Sequence, residues 1–366
     1  MSHILTHRNI ITLYVVFLTT FCFSFCSARI TPETSSTANA TQTINLNNAT
    51  WHNFARLVDV QVGSHVSGVS ELKRYLHRFG YVTDDDDATN FSDVFDGHLE
   101  SAISLYQQNL GLPITGRLDP TTVALMSSPR CGVSDTHMIT TAAAHTTARY
   151  TYFGGKPKWN RDTLTYAFSE THKLDYMNSD DVKKVFRRAF GRWASVIPVS
   201  FEETDDYSTA DLKIGFFAGD HGDGQPFDGV LGTLAHAFAP ENGRLHLDAA
   251  ETWVVDDDFK GRGGSTVAVD LESVATHEIG HLLGLGHSSE ESAVMYPSVK
   301  PRTRKVDLTV DDVAGVLKLY GANPRLRLDS LTQSEDSLRN GGVSGRFLSG
   351  GFTGYVLLLV VLILFI

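Results

Sequence analysis

The chain reads as an α+β protein, and three observations carry that expectation. Apolar residues recur at helical spacing in two segments before a capped third near residue 120, short aromatic and β-branched runs follow between 164 and 217, and further helical patterns run to residue 320. At 366 residues there is room for two modest domains plus targeting segments. A formal charge of −11 with no balancing basic stripe argues against a nucleic-acid partner.

Residues 1–28 read as a secretory signal, with His7 and Arg8 before the apolar run Ile10 to Phe25 and a small-residue exit at Ser27-Ala28. The run is short for a membrane anchor and ends at a plausible cleavage site. Residues 29 to about 50 are rich in Thr, Ser and Asn without periodicity, a disordered or glycosylated lead-in. Asn39, Asn48 and Asn90 each open an Asn-x-Ser/Thr sequon, which has meaning in an exported chain.

Packing is expected to start next. Val69, Leu72, Tyr75, Leu76 and Phe79 form one helical stripe, and Leu99, Ile103 and Tyr106 a second. Asp119 caps a third helix with Pro120 at its first position. The acidic run Asp84 to Asp87 between the first two reads as a solvated loop. Residues 136 to about 149 suit an exposed linker open to proteolysis, without a dibasic signal. Leu164 to Phe168, Val199 to Glu203 and Asp211 to Phe217 read as strands. Ser179 caps a helix whose apolar face is Val182, Val185, Phe186, Ala189, Phe190 and Trp193. A last helix starts at Thr309, buries Val313, Val316, Leu317 and Tyr320, and stops at Gly321.

The chemistry is concentrated in His277-Glu278-Ile279-Gly280-His281, followed by His287. Residues four apart lie one turn apart on a helix face, so His277 and His281 can offer their rings to a single cation. Gly284 permits a sharp turn after the helix that brings back His287 as third ligand. Zinc held by three imidazoles keeps a fourth position for water and lowers its pKa to about 7. Glu278 stands beside it as general base, then general acid. Five specified residues at fixed spacing arise by chance in a chain of this length on the order of 10⁻⁴ of the time. Met295, in Val294-Met295-Tyr296-Pro297, sits where a methionine turn would pass beneath the metal, and the whole segment resembles the zinc motif of metzincin peptidases.

With Cys22 and Cys26 in the signal segment, Cys131 is the lone thiol of the exported chain and has no intramolecular disulfide partner. Its surroundings, Pro129-Arg130-Cys131-Gly132-Val133-Ser134-Asp135, are similar to the cysteine switch of matrix metalloproteinases. A thiolate is a better zinc ligand than water, so Cys131 in the fourth position would hold the enzyme latent.

Between His221 and Glu251, four zinc-type ligands are interleaved with acidic donors, the density of a metal-stapled loop. The resemblance implies a structural zinc on His221, Asp223, His236 and His246. It implies calcium on Asp228, Asp248 and Glu251 with the carbonyls of Gly229, Leu231 and Thr233. A further calcium would use Asp211, but Arg244 stands where the family has Asp. Resemblance also assigns Leu234-Ala235 as the edge that holds an extended peptide. It assigns Leu234, Val274, Tyr296 and Pro297, beside His277, to an apolar S1′ pocket preferring Leu, Ile or Met after the cut. The pair Asp311-Asp312 would anchor the new N-terminus and the methionine turn.

Phe352 to Ile366 is an uncharged apolar tail, short for a spanning helix and suited to a GPI signal, with Asn340 in Asn340-Gly341-Gly342 the candidate attachment residue. A tail-type transmembrane anchor is the alternative. Between Tyr320 and the tail there is no room for a haemopexin domain, so the chain resembles the short matrix metalloproteinases of plants.

The expectation is therefore a metzincin catalytic domain, with a twisted five-stranded mixed sheet and three helices, preceded by a three-helix propeptide similar to peptidoglycan-binding modules. Its boundaries are 1–28 signal, 29–149 propeptide, 150–324 catalytic domain, 325–342 linker and 343–366 removed GPI signal. The expected activity is that of a secreted, latent, monomeric zinc endopeptidase using zinc and calcium. It would act on extracellular proteins or peptides at the outer face of the plasma membrane, held there by a GPI lipid. A glycan-binding module with a vestigial zinc site is the competing class, and the retained Glu278 argues against it.

Overall fold

The computed structural model describes residues 50–82, 90–136, 138–140, 149–256, 258–259 and 265–324. The signal segment, Asn39, Asn48, the run Asp84 to Asp87, most of the 136–149 linker and the tail with Asn340 lie outside the described residues.

The first part is helical. A 3-10 helix, Thr50–Leu57, precedes α1 (Val69–Arg78), α2 (Gly97–Asn109) and α3 (Pro120–Met126). Asp96 and Asp119 accept from the backbone N–H groups of Leu99 and Thr122, satisfying donors that the first turns of α2 and α3 leave unpaired. The apolar stripes converge on one core containing Phe54, Leu72, Tyr75, Ile103, Tyr106 and Met126.

The second part is a sheet against helices. Its strands are β4 (Thr163–Phe168), β5 (Ser200–Glu203), β6 (Leu212–Phe217), β7 (Thr233–Ala237) and β8 (Arg244–Asp248); β7 alone runs antiparallel to its neighbour β8. These five strands form the mixed sheet foreseen from the sequence, and a sixth joins them. β1 (Arg130–Cys131) pairs in parallel with β7 and extends the order to β1-β7-β8-β6-β4-β5. An edge strand presents unpaired N–H and C=O groups, and the Cys131 segment covers them. Arg130 N–H donates to Gly232 O at 3.0 Å and Gly132 N–H to Ala235 O at 2.8 Å.

Two small ladders complete the strands. β2 (Met138–Thr140), β3 (Tyr150–Phe153) and β11 (Leu285–Ser288) form an antiparallel sheet in the order β11-β3-β2, and β9 (Thr252–Val254) pairs with β10 (Ala268–Asp270). Three helices pack here: α4 (Ser179–Val196), α5 (Leu271–Leu282) and α6 (Val310–Tyr320). The apolar face of α4 is buried, with Phe190 stacked on Tyr166 at 4.4 Å and the Trp193 indole donating to Thr276 O on α5. The cap of α4 is Asn178 and Ser179 is its first residue, a shift of one position from the sequence reading. Asn and Ser are comparable caps, so adjacent candidates are separated only by the backbone turn.

Every residue of α5 is buried. A helix apolar or buried all round sits in the core, which makes its histidines and glutamate part of the interior. Its one fully buried acid away from the histidines, Glu272, is met by Arg188, Arg192 and Arg304. Although burial opposes ionisation, these guanidinium groups hold its carboxyl below the usual range.

Candidate metal centres

Local sequence sets the first two candidate ligands. His277 and His281 lie one turn apart on α5, and Leu283 and Gly284 then end the helix. Gly284 has φ +100, and a Cβ there would meet Pro157 O at 2.2 Å, so both backbone hand and space require glycine. The chain reverses into β11 and delivers His287. Nε2 of His281 lies 3.1 Å from Nε2 of His277 and 3.1 Å from Nε2 of His287, and 3.4 Å from Cys131 Sγ. All four atoms lie within 4.8 Å of one another.

The remaining ring nitrogens determine the tautomers. Nδ1 of His277 faces Val294 O at 2.7 Å, that of His281 faces Leu285 O at 2.8 Å, and that of His287 faces Asp135 Oδ1 at 2.6 Å. Carbonyls and carboxylates only accept, so each Nδ1 carries the proton and each Nε2 presents a lone pair. Burial pushes all three imidazoles below the usual histidine range, favouring the neutral form that binds metal. Lone pairs turned on one another are favourable around a cation. Tetrahedral zinc with bonds of about 2.0–2.1 Å separates nitrogens by about 3.3 Å, which these residues fit.

Glu278 is buried, and neither carboxylate oxygen meets a hydrogen-bond partner at ordinary geometry. Burial pushes its carboxyl up to about 8. Burial and the Glu278 charge together push the Cys131 thiol well above its usual value. A cation between these groups reverses both shifts.

Beneath the cluster, Met295 is buried against α5. A Cβ on Gly280 would meet its Sδ at 2.2 Å. Asp312 ties the turn down, accepting from the backbone N–H of Val294 at 2.9 Å and of Met295 at 3.0 Å. Asp311 accepts from the N–H of Arg149 at 2.8 Å and from Ser288 Oγ at 2.7 Å. A narrow pocket opens alongside. Leu234, Val274, Tyr296 and Pro297 line it together with Ser273 and Lys305, two residues that sequence reasoning missed because neither belongs to a motif.

A second cluster forms in the 221–251 region. Oδ2 of Asp223 lies 2.9 Å from His221 Nε2, 2.8 Å from His236 Nε2 and 2.8 Å from His246 Nδ1. Burial lowers His236 and His246 to about 4, and Phe227 stacks on both His221 and His236. Four ligands without an open position fit a structural zinc.

Next to it, Asp248 and Glu251 are buried and Asp228 lies within their electrostatic reach. Burial and then mutual repulsion raise Asp248 to about 6 and Glu251 further. Glu251 Oε2 is buried without a partner, and Leu231 N–H donates to Oε1 at 2.7 Å in a loop where Leu231 takes φ 63. An orphaned oxygen among oxygen donors fits a hard cation such as calcium. Asp211 stands apart. Its carboxylate accepts from Arg161 at 2.5 Å and from the Thr165 N–H and hydroxyl, while Arg244 stacks over Phe238 at 4.0 Å. Asn90 is exposed. Among the described residues, no helix is long and apolar enough to cross a membrane.

Known proteins bear on this geometry. Residues 158–321 match the family model described as Matrixin, and residues 65–126 match a putative peptidoglycan binding domain. The chain is 76% identical to Metalloendoproteinase 1-MMP of Arabidopsis thaliana, over 100% of this chain and 99% of that protein. It is 57% identical to Metalloendoproteinase 4-MMP of the same plant, over 74% and 77% of the two chains. It is 38% identical to human Matrilysin, over 71% and 90%.

Proposed function

The chain belongs to the matrixin family and is a zinc metalloendopeptidase that uses zinc and calcium, and on that premise we propose that it is exported as a latent precursor locked by Cys131. One observation carries this reading: Sγ of Cys131 and three Nε2 lone pairs face a common point, while every Nδ1 proton is committed elsewhere. Residues 29–149 act as propeptide and 150–324 as catalytic domain, with 1–28 a signal, 325–342 a linker that carries the candidate attachment residue Asn340, and 343–366 a GPI signal that is removed.

His277, His281 and His287 would hold the catalytic zinc, which when bound would supply a Lewis acid for the scissile carbonyl and acidify water. Glu278 takes the proton from the attacking water and passes it to the departing amine. Its buried carboxylate, pushed up by desolvation, is suited to that exchange. The Val294 and Leu285 carbonyls keep the His277 and His281 rings in the ligating tautomer. A peptide takes the place of β1 along β7 and puts the residue after the cut into the pocket of Leu234, Val274, Tyr296 and Pro297. His221, Asp223, His236 and His246 hold the structural zinc, and Asp228, Asp248 and Glu251 the calcium, fixing the loop that leads into β7. The enzyme works as a monomer outside the cell, on extracellular proteins, tethered by GPI lipid.

The test uses the exported chain, residues 29–342, and a quenched peptide with Leu after the scissile bond. Hydrolysis that appears on treatment with a thiol-reactive mercurial and disappears with a zinc chelator is the expected result. Hydrolysis already present before thiol modification rejects the Cys131 lock, and a folded, zinc-loaded chain that stays inactive after it points to a different substrate requirement or to the glycan-binding reading. Release from cells by phosphoinositide-specific phospholipase C checks the lipid anchor.

A further inference from the structure

The third imidazole is held differently from the other two. His277 and His281 donate to backbone carbonyls of their own surroundings, Val294 and Leu285. His287 donates to a carboxylate, Asp135 Oδ1 at 2.6 Å, and Asp135 lies four residues after Cys131 in the same segment. That carboxylate is buried and fully engaged. Arg130 Nη2 reaches both its oxygens at 2.8 and 2.9 Å, and the Tyr81 hydroxyl donates to Oδ2 at 2.7 Å. Arg130 is itself packed over the Phe79 ring at 3.6 Å, with Nη1 3.5 Å from the Tyr75 hydroxyl. The helical core therefore fixes Asp135, and Asp135 orients a ligand in the other half of the molecule.

An acceptor on the far nitrogen fixes an imidazole's tautomer and ring plane, and a charged acceptor also makes the ligating nitrogen more basic. Resting on the reading of His287 as a zinc ligand, we propose that Asp135 is a positioning residue for His287, so that the latent precursor holds its catalytic zinc more tightly than the processed enzyme does. The propeptide contributes twice: Cys131 as fourth ligand, and Asp135 as the acceptor behind the third. Departure of the propeptide removes this carboxylate from His287 and leaves Val294 and Leu285 behind the other two rings. Processing thus loosens one particular ligand as well as opening a coordination position.

The experiment separates these contributions with cobalt as a spectroscopic stand-in for zinc in the full latent chain. Arg130→Met removes the guanidinium and keeps the Asp135 contact to His287; Arg130→Met combined with Asp135→Ala removes both without stranding a buried charge. Release of cobalt to a chelator is timed, and the thiolate-to-cobalt absorption band reports whether Cys131 stays bound. The expected result is a retained band in both variants and release about 10- to 100-fold faster in the double variant, the usual effect of losing an outer partner of a ligating histidine. Equal release rates with the band retained overturn the proposal, and so does a band lost only in the double variant, since Asp135 would then act by seating Cys131. Absence of the band in the unaltered chain would instead refute Cys131 as a ligand, and with it the latent lock on which the proposal rests. Should the double variant not fold, the unaltered zinc-loaded chain decides the matter by nuclear magnetic resonance. A downfield His287 Nδ1 proton that moves on propeptide removal, while those of His277 and His281 stay, supports the proposal; three unmoved signals overturn it.

Discussion

Replacing Asp312 by asparagine probes the link between the last helix and the floor of the metal cluster. Asp312 Oδ1 accepts from the Met295 N–H at 3.0 Å, and Oδ2 accepts from the Val294 N–H at 2.9 Å and from the Thr309 N–H and hydroxyl at 2.8 and 2.7 Å. Four donors converge on one fully buried carboxylate. An amide keeps one oxygen and turns an NH2 toward donors, so the near-isosteric change strands part of this set whichever way it rotates. Burial pushes the Asp312 carboxyl above its usual range, yet the hydrogen bonds from Met295, Thr309 and Val294 favour its charged form. Leaving one or two buried backbone N–H donors without their acceptor costs about 1–3 kcal/mol each, and the reciprocal cap with Thr309 about 1 kcal/mol more. The sum is about 2–7 kcal/mol, a fall in Tm of at least about 4 °C for a unit of this size. Because Val294 O also holds the His277 ring, chelators should strip metal from Asp312→Asn faster than from the unaltered chain. Thermal unfolding of the zinc- and calcium-loaded protein is the assay. A change in Tm under about 2 °C would refute the claim that this carboxylate pins the methionine turn.

Three further outcomes are expected. Glu278→Ala keeps fold and bound zinc and lowers kcat about 10²- to 10⁴-fold; near-normal turnover would rule Glu278 out as the base. Cys131→Ser yields a precursor with peptidase activity before any mercurial is added, because a hydroxyl is a poorer metal ligand than a thiolate; full latency would place the lock elsewhere. Lys305→Met changes stability with pH. Burial lowers the Lys305 ammonium to about 8, below its unfolded value of about 10.4, so as pH falls through this window the unfolded chain binds the proton first and the unaltered protein loses stability. The variant should show a flatter Tm profile between about pH 8 and 10, and parallel profiles would show that this ammonium is not desolvated.

Local pattern made much of the molecule legible from sequence. The stripes of α1, α2, α4 and α6, the Asp119 and Thr309 caps and the i,i+4 histidines of α5 depend on neighbours within a turn or two, where spacing and side-chain chemistry suffice. Identification of the Cys131 segment and the 221–251 ligands came through resemblance, because ligand types in a loop do not reveal which of them meet. Tertiary structure alone decided the contacts made across long stretches of chain. Val294 O stands 17 positions from His277, and Asp135 stands 152 from His287, so no local period points to either acceptor. The placement of Arg130 and Cys131 as a sixth strand on β7 belongs to this group, as does the commitment of Asp211 to Arg161 and Thr165. Sequence determined which groups can ligate, donate or accept; the packed fold determined which of them share a point in space, since buried polar groups must find partners wherever the chain brings them.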